Sequence, residues 1–539
     1  MSTQAQLSML LKAGPPVKAT IGVSNPDGFT SFSTMEDFVS RWKRTDKTYI
    51  TCIVGNNYAL TDVLTMTDID EVNFATDRTT YSFTSGTKHF TYTDRPLLIK
   101  GWGSDTSGSY TTIGTVTLYA DGRPITFKDI ICNSQLYGAN LNTSINGNLT
   151  LDDFATNKGS QYSGGVLNGT TVTIAGDIVG VVKDSRSSMS LYAGFLNGAS
   201  NFTCTGTIRF HWRSGLGHNI IVSPMFSTTA SAVQSITLTN RTELIIDDGV
   251  ISGGVMGGPD ATSPNKSFTT VGAHVVVNGG TVSQSFCGCG MTNASTCSVN
   301  GAVDIEINGG SFDRIWGGIA PYNIKSGGDS YCANAVVNCD IRVVLNGGVY
   351  RKDVIMGSGD VGRVNGNVFL DIGPDAQLAD SDHRIMGTSY YGSFDTPYVT
   401  GTRKLRIRSD RTLACKMEQG SFLDVEIASG YSPTLSSAFD LSRSDLKLHT
   451  DSHLTVSQAA GLQTLTLAVE SGATEGEIAA FPAGFTPNND GDEYDFKVYI
   501  EQNGVRSEAT KVSDFEYTEN GITITIAHDY TSISYRRQQ

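Results

Sequence analysis

The stretch Ile307-Asn308-Gly309-Gly310-Ser311-Phe312-Asp313-Arg314-Ile315-Trp316-Gly317-Gly318 recurs in three other versions, and this recurrence constrains the fold more than any other feature. Asp248-Gly249 precedes Val250 to Gly257, Asn278-Gly279-Gly280 precedes Thr281 to Gly288, and Asn346-Gly347-Gly348 precedes Val349 to Gly357. The turn glycines Gly249, Gly280, Gly310 and Gly348 return about every 30 residues, with a longer loop in the last interval. Each turn follows a β-rich run: Leu244 to Ile246, Val275 to Val277, Val303 to Ile307 and Val343 to Leu345. Past the turn, an apolar residue is matched by another four places on, which pairs Ile251 with Val255, Val282 with Phe286 and Phe312 with Trp316. The fourth copy carries one extra residue and pairs Tyr350 with Ile355.

A repeat of short strands with no helix between them predicts an all-β chain, a parallel β-solenoid. One circuit of such a chain has no way to bury its inward side chains alone. Stacked circuits put Ile251, Val282, Phe312 and Tyr350 in an internal column and pair every strand edge with the circuits on either side. Asn and Gly recur at the corner because it needs positive φ, which they adopt at little cost. Weaker versions of the pattern extend upstream through Thr171 to Val182 and Ile236 to Leu238. Downstream it continues through Val368 to Ile372, Lys404 to Arg408, Leu423 to Ile427, Leu446 to Leu448 and Leu462 to Val469.

The expected boundaries are an attachment or capping segment over 1 to 50, the parallel β-helix over 51 to 485 and an antiparallel module over 486 to 539. In the first segment, Ser33 and Glu36 form a capping box, with Met35, Phe38, Val39 and Trp42 on one helical face. Such a helix covers the open first circuit or belongs to a separate attachment domain. In the last, Phe496 to Ile500, Ala509 to Tyr517 and Ile522 to Ile526 are separated by Asn503-Gly504 and Asn520-Gly521, the strongest local hairpin signal.

A formal net charge of -14 argues against nucleic-acid binding, which needs clustered Lys and Arg. No window holds the roughly 18 apolar residues of a membrane-spanning helix. The N-terminus lacks the charged start, apolar run and cleavage site of a signal peptide, which predicts synthesis and folding in a cytoplasm. Of nine cysteines, Cys287, Cys289, Cys297, Cys332 and Cys339 lie close in sequence. Their spacing lacks paired C-x2-C units of a zinc site, and buried reduced thiols are the expectation.

The opening stretch lacks G-x-x-x-x-G-K-[ST] and a following helix, so it is not a phosphate loop. Asp304 and Glu306 alternate on one strand face, which a solvated face explains. Asp380, Asp382 and His383, next to Arg384, bring acids, an imidazole and a guanidinium within five residues and are the catalytic candidates. Lys404, Arg406 and Arg408 point away from Leu405 and Ile407, an arrangement suited to an acidic glycan or to a neighbouring acidic strand. Asp313 and Arg314, with Tyr322 in the loop from Ile319, complete the glycan-contact candidates. No cofactor is expected other than calcium, for which Asn488, Asp490, Asp492 and Asp495 supply oxygens in a glycine-containing loop. An acidic linker accounts for the same residues. The Phe485-Thr486-Pro487-Asn488 start of this stretch also resembles that of C-terminal sorting domains on secreted Bacteroidota proteins.

The coiled repeat resembles the right-handed parallel β-helix of pectate-lyase-like enzymes and bacteriophage tailspikes, over about 400 residues and in architecture only. The polygalacturonase branch uses, in order, Asn-Thr-Asp, Asp-Asp, Gly-His-Gly and Arg-Ile-Lys. Here Asp247-Asp248, Gly217-His218 and Arg406-Ile407 occur in another order, and Asn219 replaces the second glycine, so no catalytic assignment carries over. The resemblance implies a homotrimeric virion protein, a tail or head fibre or spike. Its N-terminal segment would dock onto other virion proteins, and its loops over Pro259 to Thr270, Met291 to Asn300 and Ile319 to Val337 would face host-surface polysaccharide. A polysaccharide lyase or glycoside hydrolase on the same scaffold and a bacterial surface adhesin are the alternatives.

Overall fold

A computed structural model describes strand backbones from Gln6 onward and residues 171 to 538 apart from 183–184, 197–200, 227–230, 262–264, 294, 322–331, 379–381, 394, 437–438, 459 and 488–494. Side chains are described from Thr173. The helix expected over Ser33 to Trp42 lies outside the described residues, as do Tyr322, Asp380, Asn488, Asp490 and Asp492. Among the described residues there is no helix, and the chain is all-β with long, largely parallel sheets. Two compact units are distinguished, Met1–His274 with Ser295–Cys297, and Val275–Ala294 with Ser298–Gln539.

In the first unit three parallel ladders run side by side. Thr171–Ile174 pairs with Asn201–Cys204, and that strand with Gln234–Leu238. Ile178–Val182 pairs with Ile208–Trp212, and that strand with Thr242–Ile246. Ser185–Leu196 pairs with Gly215–Met225, which then meets Val250–Ile251 and Val255–Met256. Each circuit of the chain thus lends one strand to each ladder. Strict alternation decides the faces: Ile178, Gly180 and Val182 are buried while Val179 and Val181 are half-exposed, and Ile208–Trp212 repeats the pattern with Trp212 fully buried.

The second unit follows the same rule. Thr281–Cys287, Ser311–Trp316, Ile341–Tyr350 and Val368–Leu378 are in parallel register, with Val282 opposite Phe312, Phe312 opposite Tyr350 and Tyr350 opposite Leu378. Phe312 stacks on Tyr350 with ring centroids 5.7 Å apart and meets Phe286 edge-on at 5.9 Å. Such aromatic pairs contribute about 0.5 to 1.5 kcal/mol each beyond the area they bury. The register is not continuous along these strands. Between Val282 and Ser285 the register shifts, so Trp316 lies opposite Cys287 and Phe286 lies opposite Ile315. The earlier copy holds one more residue over this stretch, and a bulge absorbs it.

Gly280, Gly310 and Gly348 have φ of 91°, 102° and 96°, and Gly249 in the first unit has 119°. At these corners Asn308 Nδ2 donates to Asn278 Oδ1 at 3.2 Å, and Asn346 Nδ2 donates to Asn308 Oδ1 at 2.9 Å. A second asparagine row joins Asn300, Asn338 and Asn365 at 2.9 and 2.8 Å. The positive φ expected of the corner falls on its last glycine and not on the asparagine, whose part is to link one strand row to the next.

The main ladder of this unit continues from Val368–Leu378 through Arg403–Ile407, Asp424–Ile427, Leu441–His449 and Ala460–Ala468 to Lys497–Gln502. Beyond it the chain turns antiparallel. Asn503 and Gly504, at φ 51° and 78°, close a two-residue turn between Gln502 and Val505, and Asn520 and Gly521, at 48° and 72°, do the same between Glu519 and Ile522. The run from Ala509 to Tyr517 is two strands, Thr510–Ser513 and Glu516–Glu519, folded back on each other at Asp514-Phe515. The three variable segments all open on strand, at Asp260–Ala261, Gly290–Thr292 and Ile319–Pro321, and the last two pair in parallel.

Candidate functional site

In the ladder from Arg403 to Gln502, residues alternate between the core and an exposed sheet face. Leu405, Val425, Leu446, Leu465 and Val498 are in register and fully buried, which forces their neighbours outward. One outward row reads Lys404, Asp424, Asp445, Thr464, Lys497, and the next reads Arg406, Glu426, Lys447, Thr466, Tyr499. Few of these side chains carry an apolar face, so charge, hydrogen bonding and cavity shape determine what this surface does.

A cleft of about 150 Å³ opens here, lined by Lys404, Asp424, Glu426, Asp445, Lys447, Thr466, Glu501 and Arg506, with Val425 at its floor. Arg506 reaches in from Val505–Glu508, its guanidinium 3.9 Å from the centre of the Tyr499 ring and its Nη2 2.6 Å from Asp445 Oδ2. Thr466 Oγ1 donates to Asp445 Oδ1 at 2.9 Å, so both oxygens of that carboxylate are held. Lys447 Nζ donates to Glu501 at 2.8 Å. Lys404 Nζ lies 2.8 Å from Glu426 and Arg406 Nε 3.9 Å from it.

The electrostatics separate Asp424 in the first row from Glu426 in the second. Burial, with the neighbouring charge of Asp445, raises the Asp424 carboxyl above its usual value, and Lys404 and Arg506 offset only part of this. Glu426 moves the other way: the hydrogen bond from His449, helped by Lys404 and Arg406, pulls it to about 2 against the cost of burial. The same bond to Glu426 is the main cause that raises His449, with Glu470 adding to it. One face of one sheet thus holds one carboxyl raised above its usual value and one held below it.

The residues singled out from sequence are dispersed. Arg408 Nε donates to Asp371 at 2.8 Å and its Nη2 to Asn346 at 3.0 Å, so Lys404, Arg406 and Arg408 all face acidic or amide partners on neighbouring strands. Asp313 and Arg314 are not free on the surface: Asp313 is paired with Lys352, and Arg314 Nη2 lies 3.4 Å from the buried Asp353. Those partners lie in the segment Arg351 to Asp353, between the paired positions Phe312 with Tyr350 and Ile315 with Val354. Asp382 is exposed and His383 half-buried, and adjacent Arg384 is held by Asp353 and by Glu418 at 3.1 Å. Asp495 is half-buried. In the first unit, Asp247 meets His211 at 2.6 Å and His218 meets Ser252 at 3.2 Å.

Seven cysteines are described, each buried and unbridged. Burial raises Cys289 well above the ordinary thiol value, with Cys339 and Cys287 close enough to add to it, and pushes Cys204 and Cys415 to about 12. Such thiols are poor nucleophiles.

Asp424, Glu426, Asp445, Lys447, Glu501 and Arg506 escaped the sequence reading. Their signal was present in the strand runs through Leu423 to Ile427 and Leu446 to Leu448, whose outward positions, read across neighbouring strands, form the charged rows. No protein-family model, curated protein or solved structure matches the chain.

Proposed function

We propose that the chain is a β-solenoid of the right-handed parallel β-helix kind and serves as a structural protein of a bacteriophage virion, a tail or head fibre or spike that binds host-surface glycan. The observation that carries this reading is the cleft, where three cations, four carboxylates and a threonine hydroxyl stand side by side on a rigid ladder. Sugars present dense hydroxyl donors and acceptors, and closely set charged and hydroxyl groups are their natural partners. The repeated parallel ladders supply a scaffold held by strand register throughout, with corner glycines and asparagine rows adding links in the stretch from Asn278 to Asn365. In this reading the protein works as a homotrimer joined to other virion proteins through its N-terminal segment. Purified protein incubated with host cells and with their capsule and cell-wall glycans tests it. Saturable binding to one glycan class, with the chain also present in purified particles, supports it; no binding to any envelope glycan refutes it.

A second reading, glycan cleavage, is favoured by Asp424 and Asp445. They are in register on adjacent strands, and two carboxyl groups side by side are what a retaining glycosidase uses. New reducing ends released by the wild type and lost in Asp424→Asn would establish this reading. Binding without release leaves the attachment role alone.

A further inference from the structure

Outside the cleft, one cluster has the chemistry of a metal site. His449 ends the strand Leu441–His449, Asp451 follows in the turn, and Glu470 lies just past Ala460–Ala468. One ligand atom from each, a ring nitrogen and two carboxylate oxygens, all fall within 4.8 Å of one another. His449 Nδ1 is 2.8 Å from Glu470 Oε1, which shows how little either must move to share an ion.

The surroundings hold these three groups in place. Ser452 Oγ accepts from His449 N and donates to His449 O, both at 2.9 Å, which ties the turn. Thr450 Oγ1 accepts from Glu470 N at 2.9 Å, and Ser429 Oγ donates to Asp451 Oδ2 at 2.7 Å. The opposite ring nitrogen, Nε2, lies 3.3 Å from Glu426 Oε1, and Lys404 fixes that carboxylate from its other side at 2.8 Å. A metal-ligating histidine commonly donates its second ring N–H to a carboxylate, which sets the tautomer and aims the lone pair of the first nitrogen at the ion. Here Glu426 fills that role and Nδ1 lies against Glu470, with Asp451 nearby.

We propose that His449 Nδ1, Asp451 and Glu470 form a binding site for one divalent transition-metal ion of the zinc class, with solvent completing its coordination. Two carboxylates balance the charge of a divalent ion. An imidazole ligand favours zinc, copper, nickel or cobalt over calcium, which takes six to eight oxygens. The ion joins two successive circuits of the ladder at its exposed edge, and the assignment stands apart from whether the protein binds glycan.

Cobalt(II) and zinc added to the chelator-treated full-length protein test the site. The expected result is one cobalt per chain, with ligand-field absorption of a nitrogen and oxygen site, no thiolate charge-transfer band, and displacement by zinc. Asp451→Asn, at an exposed position that keeps its bond from Ser429, abolishes this binding while the circular dichroism and melting temperature of the metal-free protein stay unchanged. Glu426→Gln keeps the stoichiometry and weakens affinity by about 10- to 100-fold. No saturable cobalt binding in the wild type, undiminished binding in Asp451→Asn, or a thiolate charge-transfer band would each overturn the proposal.

Discussion

Replacing Gly310 by alanine tests the close stacking of the circuits, with Gly472→Ala as its control. Both glycines have positive φ, 102° at Gly310 and 84° at Gly472. An added methyl at Gly472 meets nothing within 4 Å, so that variant carries only the backbone cost of a left-handed conformation, about 1 to 2 kcal/mol. At Gly310 the methyl carbon would stand 2.6 Å from the Gly280 carbonyl oxygen on the preceding circuit. That oxygen already accepts the ladder bond from Ser311 N at 2.8 Å. Relief of the clash costs about 1 kcal/mol for the weakened hydrogen bond and about 1 to 3 kcal/mol for displaced packing. The expected total is about 3 to 6 kcal/mol. Urea unfolding followed through tryptophan emission reads this, because Trp316 is fully buried beside the corner. Stacked repeats need not unfold in one step, so the shift of the transition that moves Trp316 is the quantity compared. If Gly310→Ala is no more destabilising than Gly472→Ala, the circuits do not approach each other as described.

Other consequences follow from the same geometry. Asn308→Ala removes two inter-circuit hydrogen bonds at an exposed corner and should cost about 1 to 2 kcal/mol by urea unfolding, with faster hydrogen exchange confined to the flanking strands. Glu426 has a depressed folded-state value, so the stability it contributes is complete above about pH 4.5 and is lost as pH falls through about 2. The full difference is roughly 3 kcal/mol at a side chain 11% exposed, and Glu426→Gln should flatten the acid limb of the stability profile. In native protein the seven described cysteines should resist a thiol reagent and react only after unfolding; rapid modification of several would contradict their burial.

The corner chemistry was open to reading because it is local: Asn308-Gly309-Gly310 and its copies announce the turn within three residues, and the inward column Val282, Phe312, Tyr350 follows by counting. Asn503-Gly504 and Asn520-Gly521 were legible for the same reason. The register shift between Val282 and Ser285 was not, because equal four-residue spacing in two copies hides a bulge whose position depends on backbone hydrogen bonds. The pairing of Arg314 was not legible either. Its partner Asp353 lies 39 residues away, and only strand register brings the two together. The cleft was hidden more deeply. Lys404, Asp424 and Asp445 recur about every 20 residues, where the glycine corner that marks the earlier circuits is gone, and Arg506 enters from an antiparallel hairpin. Each residue looks like an ordinary solvated strand position until the neighbouring strands are set beside it.

Equilibrium binding of host-envelope oligosaccharides to the wild type, to Arg506→Ala in the cleft and to Lys511→Ala outside it tests the central claim most directly. The account predicts saturable binding by the wild type and by Lys511→Ala, and a loss of about tenfold or more, 1.4 kcal/mol, in a folded Arg506→Ala. Equal affinity for all three proteins, or no binding by any, would contradict the assignment of the cleft as the glycan site.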